Sequence, residues 1–358
     1  MKVCLLGPTA YAGKVDRASW PAPPEACDPE TAAMSYKVQL DQFQLADELG
    51  FDWVSVSEHH YAPGLMTPNP IVMAAAASQR TKNVRIAVLG PLMPLTNPVR
   101  VAEEIAMLDS ISGGRAVVLP LRGTPNEHLT YTMDGKPPPL TREITQEATT
   151  LMIKAWKERS PFSWRGEHFS FEHVSVWPRV LQEPHPPVFF SGNSAESIAF
   201  AAANRLNLAI GFAPAPQVAE HVRQYQKLAA EAGWTPTHEN VLFRARALVA
   251  PDDEQANAIV QKTREAIMAR MAHARGEHYG PSARAEAPAT PGEGGGAPGV
   301  AGFQFFGTPK TIIGQVQAYR DAGVGIIDVA FAGDAFGRGG TMKSLEAFAD
   351  ALPALRAM

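Results

Sequence analysis

Cysteine is nearly absent: Cys4 and Cys27 are the only two in 358 residues. Two are too few for a disulfide framework and match no zinc spacing, so a reducing, cytoplasmic compartment and no metal are expected. Charge is sparse as well, with 19% Asp, Glu, Lys and Arg, a net of −4 and no Lys/Arg-rich run. That removes the electrostatic footprint of a nucleic-acid or anionic-membrane partner, and neither is expected. No apolar run approaches the roughly 20 residues of a transmembrane helix. Met1 to Thr9 carries only a short apolar stretch before Gly7-Pro8, too little for a signal-peptide core. The glycine pattern of a dinucleotide site is also missing. What is present is a 45% apolar composition, enough to bury a large core in one large domain or two small ones.

The clearest pattern lies between Val84 and Gly123. An apolar β-branched run is followed by a Pro-rich loop, an amphipathic segment, a turn and a second apolar run. Neither run alternates with polar residues, as expected of parallel strands buried on both faces, so this is one βαβ unit. Similar strands are expected near Val3, Asp52, Val84, Arg115, Val188, Leu208, Val241 and Ile326, with helices between them, among them Ser35 to Leu49 and Met342 to Leu355. Eight strands alternating with helices predict an α/β fold, a (β/α)₈ TIM barrel. Two insertions interrupt it. One is a hairpin near 161–178, where apolar and polar residues alternate around Arg165-Gly166. The other is a loop near 276–302, rich in Gly, Pro and Ala and expected to be mobile. Pro8 to Glu30 reads as a long loop, and loops of that length are usually functional or disordered.

In parallel α/β folds ligands bind at the carboxyl ends of the strands, and the unusual residues fall there. Glu58-His59-His60 ends the second strand; because strand side chains alternate, one imidazole is expected to face the mouth and the other to pack outward. Gly90, after Leu89, lacks a Cβ and could bring its backbone close to a flat ligand, or simply turn the chain before Pro91. Arg122 follows an apolar strand and must reach solvent or meet an anion. Ser194 opens a helix, either as a plain N-cap or as part of a phosphate site. Gly192-Asn193-Ser194-Ala195-Glu196 lacks the second glycine of a hydrolase nucleophile elbow. No third ligand sits at metal spacing from the histidines.

Four segments carry a family resemblance: ADELGFDWVSVSEHHY (46–61), LTNPVRVAEEIAMLDSISGGR (95–115), SVWPRVLQEPHPPVFFSGNSAES and FFGTPKTIIGQVQAYRDAGV. Together they make the chain similar to the bacterial luciferase family of flavin-dependent monooxygenases. The resemblance implies a single (β/α)₈ barrel domain over 1–358 that uses reduced FMN, supplied by a separate flavin reductase, and O₂ as co-substrate, working through a flavin C4a-peroxide. It implies His59 as the catalytic residue. It also implies a cis peptide at Leu89-Gly90 supporting the flavin, and Arg122, Asn193, Ser194 and Ser197 at the FMN phosphate. Leu121 stands where luciferase has a reactive cysteine, which speaks against bioluminescence more than against oxygenation. The expected function is a two-component monooxygenase acting on a small apolar organic substrate, from the apolar and aromatic loop residues Tyr11, Trp20, Leu65, Met66, Met93 and Tyr131. The alternatives are an F420-dependent hydride-transfer enzyme of the same superfamily and a non-catalytic flavin-binding subunit. A homodimer is expected, with the apolar helices around 70–79 and 99–108 as candidate faces.

Overall fold

Helix boundaries in this chain are set by short polar caps followed by proline. Asn69 and Asn97 each accept hydrogen bonds from the next helix's first amides, and Pro70 and Pro98 follow at the position where the missing N–H costs nothing. Asp28 with Pro29 does the same, which is why the first helix starts at Pro29 and not at Ser35. The computed structural model describes residues 1–15, 20–131, 140–276, 302–337 and 339–358. Most of the loop expected near 276–302 lies outside these residues. They group into two compact units, residues 4–191 and residues 1–3 with 192–358.

In the first unit the order is β1 (Lys2–Leu6, of which 4–6 belong here), α1 (Pro29–Leu49), β2 (Trp53–Val56), α2 (Pro70–Arg80), β3 (Arg85–Val88), α3 (Pro98–Ser112), β4 (Ala116–Val118), α4 (Pro125–Tyr131), α5 (Thr141–Lys157), β5 (Phe162–Arg165), β6 (Ser170–Val174) and β7 (Phe189–Ser191). β1, β2, β3 and β4 pair in that order, all parallel, with Cys4 opposite Trp53 and Ile86 opposite Ala116. A further parallel bridge joins Val118 to Val188, next to β7. The strands are buried almost throughout, as the lack of alternation requires. β4 ends at Val118, short of the full second apolar run, because Pro120 offers no ladder donor. β5 and β6 form the expected antiparallel hairpin. Glu147 on α5 ties it down by accepting from Trp164 Nε1 and from the amides of Glu167, His168 and Phe169.

The second unit holds α6 (Ala195–Ala203), β8 (Asn207–Gly211), α7 (Ala215–Glu231), β9 (Val241–Val249), α8 (Asp253–Gly276), β10 (Phe305–Gly307), a helix Pro309–Asp321 and β11 (Ile326–Ala332). β8 and β11 flank β9, parallel to it, and the short β10 extends the β9 pairing at Ala247–Val249. β10 was not expected, being only three residues long. The single terminal helix expected at Met342–Leu355 is two, Gly340–Ala349 and Leu352–Ala357, with Pro353 in the first turn of the second. Asp328 on β11 is fully buried and directly opposite Arg244 on β9, whose Nε donates to it at 3.0 Å. Parallel strands alternating with helices through both units make the fold class a (β/α)₈ barrel.

Candidate active site

β2 ends at Val56, so Ser57 to His60 belong to the loop that follows and are released from strand alternation. Both residues contribute to the wall of one cavity, but only the His59 side chain is substantially exposed, at 29% against 3% for His60. They differ in what holds them. His60 is buried, its Nε2 is 3.0 Å from Glu58 Oε1, and the other Glu58 oxygen accepts from the Leu92 amide at 3.1 Å. That carboxylate ties the loop after β2 to the loop after β3. The His60 carbonyl also accepts from Trp20 Nε1 at 3.0 Å.

His59 is held from a different direction. Its Nδ1 lies 2.7 Å from Glu127 Oε1, and Glu127 sits in the first turn of α4. The second Glu127 oxygen accepts the Thr124 amide at 2.7 Å. Burial alone would raise the Glu127 carboxyl; the hydrogen bonds from His59 and Thr124 outweigh it and leave the group below the usual carboxylate range, ionised at neutral pH. Glu127 is 5% exposed and His59 is 29% exposed, so the carboxylate backs the ring and the ring meets the cavity. Sequence reading missed Glu127. Thr124-Pro125-Asn126-Glu127 does carry a capping-box signature, Thr then Glu three residues on, that could have found it.

The cavity measures ≈ 310 Å³ and lies wholly within the first unit. Its walls come from the long 8–30 loop (Tyr11, Val15, Ala22, Pro23, Pro24, Ala26, Cys27), from Tyr36 on α1, and from the loop after β2 (His59 to Pro63, Leu65, Met66, Pro68). Among the described residues no Asp, Glu, Lys or Arg lines it. The loops are pinned: the Tyr11 hydroxyl accepts the Asp28 amide at 2.8 Å, and the His59 amide donates to the Thr67 carbonyl at 3.1 Å. Of the residues expected to shape an apolar mouth, Tyr11, Leu65 and Met66 line this cavity; Met93 is fully buried elsewhere in the core, and the Tyr131 side chain lies outside the described residues.

Leu89 is buried and Gly90 adopts φ +144. A Cβ on Gly90 would stand 3.1 Å from the Glu58 amide nitrogen and 3.3 Å from Leu121 Cδ1. Among the described residues the cis bonds precede Pro21, Pro178 and Pro184; the Leu89–Gly90 bond is trans. The glycine's positive φ makes the turn, so a cis bond is not needed. Arg122 follows β4, and its carbonyl accepts from His128 Nε2 at 2.6 Å. In the second unit Ser194 is the N-cap of α6: its hydroxyl accepts the Ser197 amide at 3.4 Å and donates to Ser197 Oγ at 3.2 Å. Asn193 Oδ1 accepts the Gly211 amide at 3.2 Å. The structure thus brings His59, Leu89, Gly90 and Arg122 into one unit and Asn193, Ser194 and Ser197 into the other. No cluster of His, Cys, Asp or Glu among the described residues could hold a metal ion. No helix among them is long and apolar enough to cross a membrane.

With the fold and cavity in place, comparison with known proteins points to one family, the luciferase-like monooxygenases. The chain belongs to that family, whose model matches residues 18–325. It is 35% identical over 182 residues to the uncharacterized protein y4wF of Sinorhizobium fredii, 51% of this chain and 52% of that one. It is 27% identical over 183 residues to the oxygenase component of the flavin-dependent trigonelline monooxygenase of Acinetobacter baylyi, 51% of this chain and 50% of that one. The matched stretches span about half the length of these curated relatives. Among solved structures, monooxygenase RslO1 from Streptomyces bottropensis superposes with a TM-score of 0.73 at 25% identity, over 99% of both chains. Two others share the fold. The oxygenating constituent of 3,6-diketocamphane monooxygenase from Pseudomonas putida, in complex with FMN, gives 0.72 at 21% identity, over 99% and 98% of the two chains. An F420-dependent secondary alcohol dehydrogenase gives 0.72 at 18%, over 99% of both.

Proposed function

We propose that this chain is the oxygenase of a two-component system, using reduced FMN made by a separate flavin reductase and O₂ to oxygenate a small apolar organic substrate. The observation that carries the reading is the Glu127-backed His59 on the wall of an apolar cavity, in a chain of the luciferase-like family. The trigonelline relative, an oxygenase component by name, supports it, and the missing dinucleotide fingerprint motivates the separate reductase.

The residues present fit such a cofactor. A helix N-terminus carrying the Ser194 and Ser197 hydroxyls offers the donors a phosphate needs, and a guanidinium such as that of Arg122 complements an anion. Gly90, with no Cβ, admits the Glu58 amide nitrogen and Leu121 Cδ1 at 3.1 and 3.3 Å from where that atom would stand, so its place at the ring rests on the family resemblance. Within the first unit the proposal therefore assigns Leu89 and Gly90 to the ring and Arg122 to an anionic group of the cofactor. Within the second it assigns Asn193, Ser194 and Ser197 to a phosphate. When bound, reduced FMN supplies the two electrons by which O₂ gives one oxygen atom to substrate and one to water. The protein's part is proton handling and exclusion of bulk water. His59 takes or returns a proton at Nε2 while Glu127 holds Nδ1 and steadies the imidazolium. The apolar walls, free of Asp, Glu, Lys and Arg among the described residues, offer few groups to hold water beside the reacting atoms.

A second reading is favoured by the F420-dependent neighbour of like fold: hydride transfer without oxygen. Turnover separates the two. The chain alone is expected to leave NADH and NADPH unconsumed, and addition of a flavin reductase with FMN is expected to yield an oxygenated product. Nicotinamide consumption by the chain alone contradicts the two-component reading, and anaerobic turnover with reduced F420 selects the second. We also propose a homodimer through α2 and α3, where Val72, Met107 and Ile111 stay exposed. A solution mass of a single 38.5 kDa chain would refute it.

A further inference from the structure

The Glu127–His59 pair does more than fix a ring. Ionised Glu127 can only accept, so the hydrogen between Oε1 and Nδ1 belongs to Nδ1. A neutral His59 then carries its lone pair on Nε2. Among the described residues Nε2 has no hydrogen-bond partner, on a side chain that lines the cavity. Two other polar side chains of that wall are already engaged, and a third keeps its proton. His60 Nε2 is engaged by Glu58, and the Tyr11 hydroxyl already accepts from Asp28. The Tyr36 hydroxyl is pushed up by burial, with Cys27 adding to it, so it stays protonated. Among the described residues His59 Nε2 is thus the strongest open acceptor of a wall that holds no Asp, Glu, Lys or Arg. That space is small for a ligand site and walled by three tyrosines and four prolines, side chains that are flat or rigid.

We propose that Glu127 is a positioning residue that, through His59, makes this cavity select a phenol-class substrate: a hydroxyl that donates to Nε2, carried on a small apolar ring. The inference rests on the oxygenase reading only in taking this cavity as the substrate site. A hydroxyl satisfies the lone pair on Nε2. An ether of the same shape buries it unpaired, and such a site rejects the analogue lacking the donor.

Glu127→Gln tests the positioning role specifically. The Thr124 amide can only donate, so it claims the amide oxygen of the new side chain. That turns the NH₂ toward His59 Nδ1, which must then accept, and the ring hydrogen moves to Nε2. The fold is kept and the tautomer reverses. A side chain acting only as packing would not have this effect.

The experiment uses the full chain without flavin. Imidazole ¹⁵N NMR at pH 8, above the ordinary histidine range of about 6.5, reads the tautomer, and calorimetry compares 4-ethylphenol with 4-ethylanisole. The expected result is an Nδ1–H signature in the wild type and an Nε2–H signature in Glu127→Gln. The phenol should bind about ten-fold more tightly than the ether in the wild type, falling to about two-fold in Glu127→Gln and in His59→Ala. An Nε2–H signature in the wild type, equal binding of the two probes, or binding of neither overturns the proposal. If Glu127→Gln fails to fold, the wild-type signature and the His59→Ala comparison still decide it. Because no flavin or oxygen is present, failure of the oxygenase reading would appear separately, as phenol binding without turnover.

Discussion

Replacing His59 with alanine is expected to lower reductase-coupled oxygenation by about 10²- to 10⁴-fold, the range that a positioned general acid–base contributes. Flavin binding should change little. The residue sits on the loop after β2, its ring backed by a buried carboxylate and its open nitrogen on the cavity wall. Alanine removes the proton carrier and leaves Glu127 held, among the described residues, by the amide and the side chain of Thr124. Because the His59 amide still donates to the Thr67 carbonyl, the loop keeps its anchor and the loss falls on chemistry. Product formation and the affinity for reduced FMN, measured on the same variant, separate these effects. Unchanged oxygenation with flavin binding intact would return the chain to the alternative of a non-catalytic flavin-binding subunit.

Asp328→Ala is expected to be the most destabilising single change among the polar residues. Asp328 is fully buried and Arg244 is mostly so, paired across β9 and β11 at 3.0 Å. Arg244 Nη2 already has no hydrogen-bond partner among the described residues, so removing the carboxylate leaves a guanidinium charge uncompensated. Breaking a buried pair in this way costs about 3–5 kcal/mol, a large part of the roughly 5–15 kcal/mol that holds a typical domain. A denaturant midpoint within error of the wild type would show that the pair contributes nothing.

Much of the fold was legible because its signals are local. Unbroken apolar runs marked the parallel strands, and the alternation around Arg165-Gly166 marked the hairpin. The misses were also physical. Proline at 120 and 353 cut elements that apolar periodicity extended, and a three-residue strand such as β10 carries no pattern to read. At the site, His59 was found through its strand-end position and the family resemblance, and it differs from His60 in exposure and in the carboxylate that holds it. Glu127 was missed because its partner is 68 residues away and α4 is too short to show an apolar face. The Leu89–Gly90 geometry was implied by resemblance alone. There the positive φ of the glycine replaced the cis bond.

The long 8–30 loop is the other instructive case. Rich in proline and alanine, it gives no periodic signal, yet it supplies nearly half of the cavity wall. Its order comes from contacts distant in sequence, such as the Trp20 indole on the His60 carbonyl and the Tyr11 amide on the Pro63 carbonyl. Loops held in this way are where binding residues concentrate.

An anaerobic titration of the wild-type chain with photoreduced FMN, run beside reduced F420, tests the central claim most directly. Saturable binding of reduced FMN, retained in His59→Ala and weakened by Arg122→Ala and by Ser194→Ala, is the expected result. Binding of reduced F420 with none of reduced FMN would contradict it.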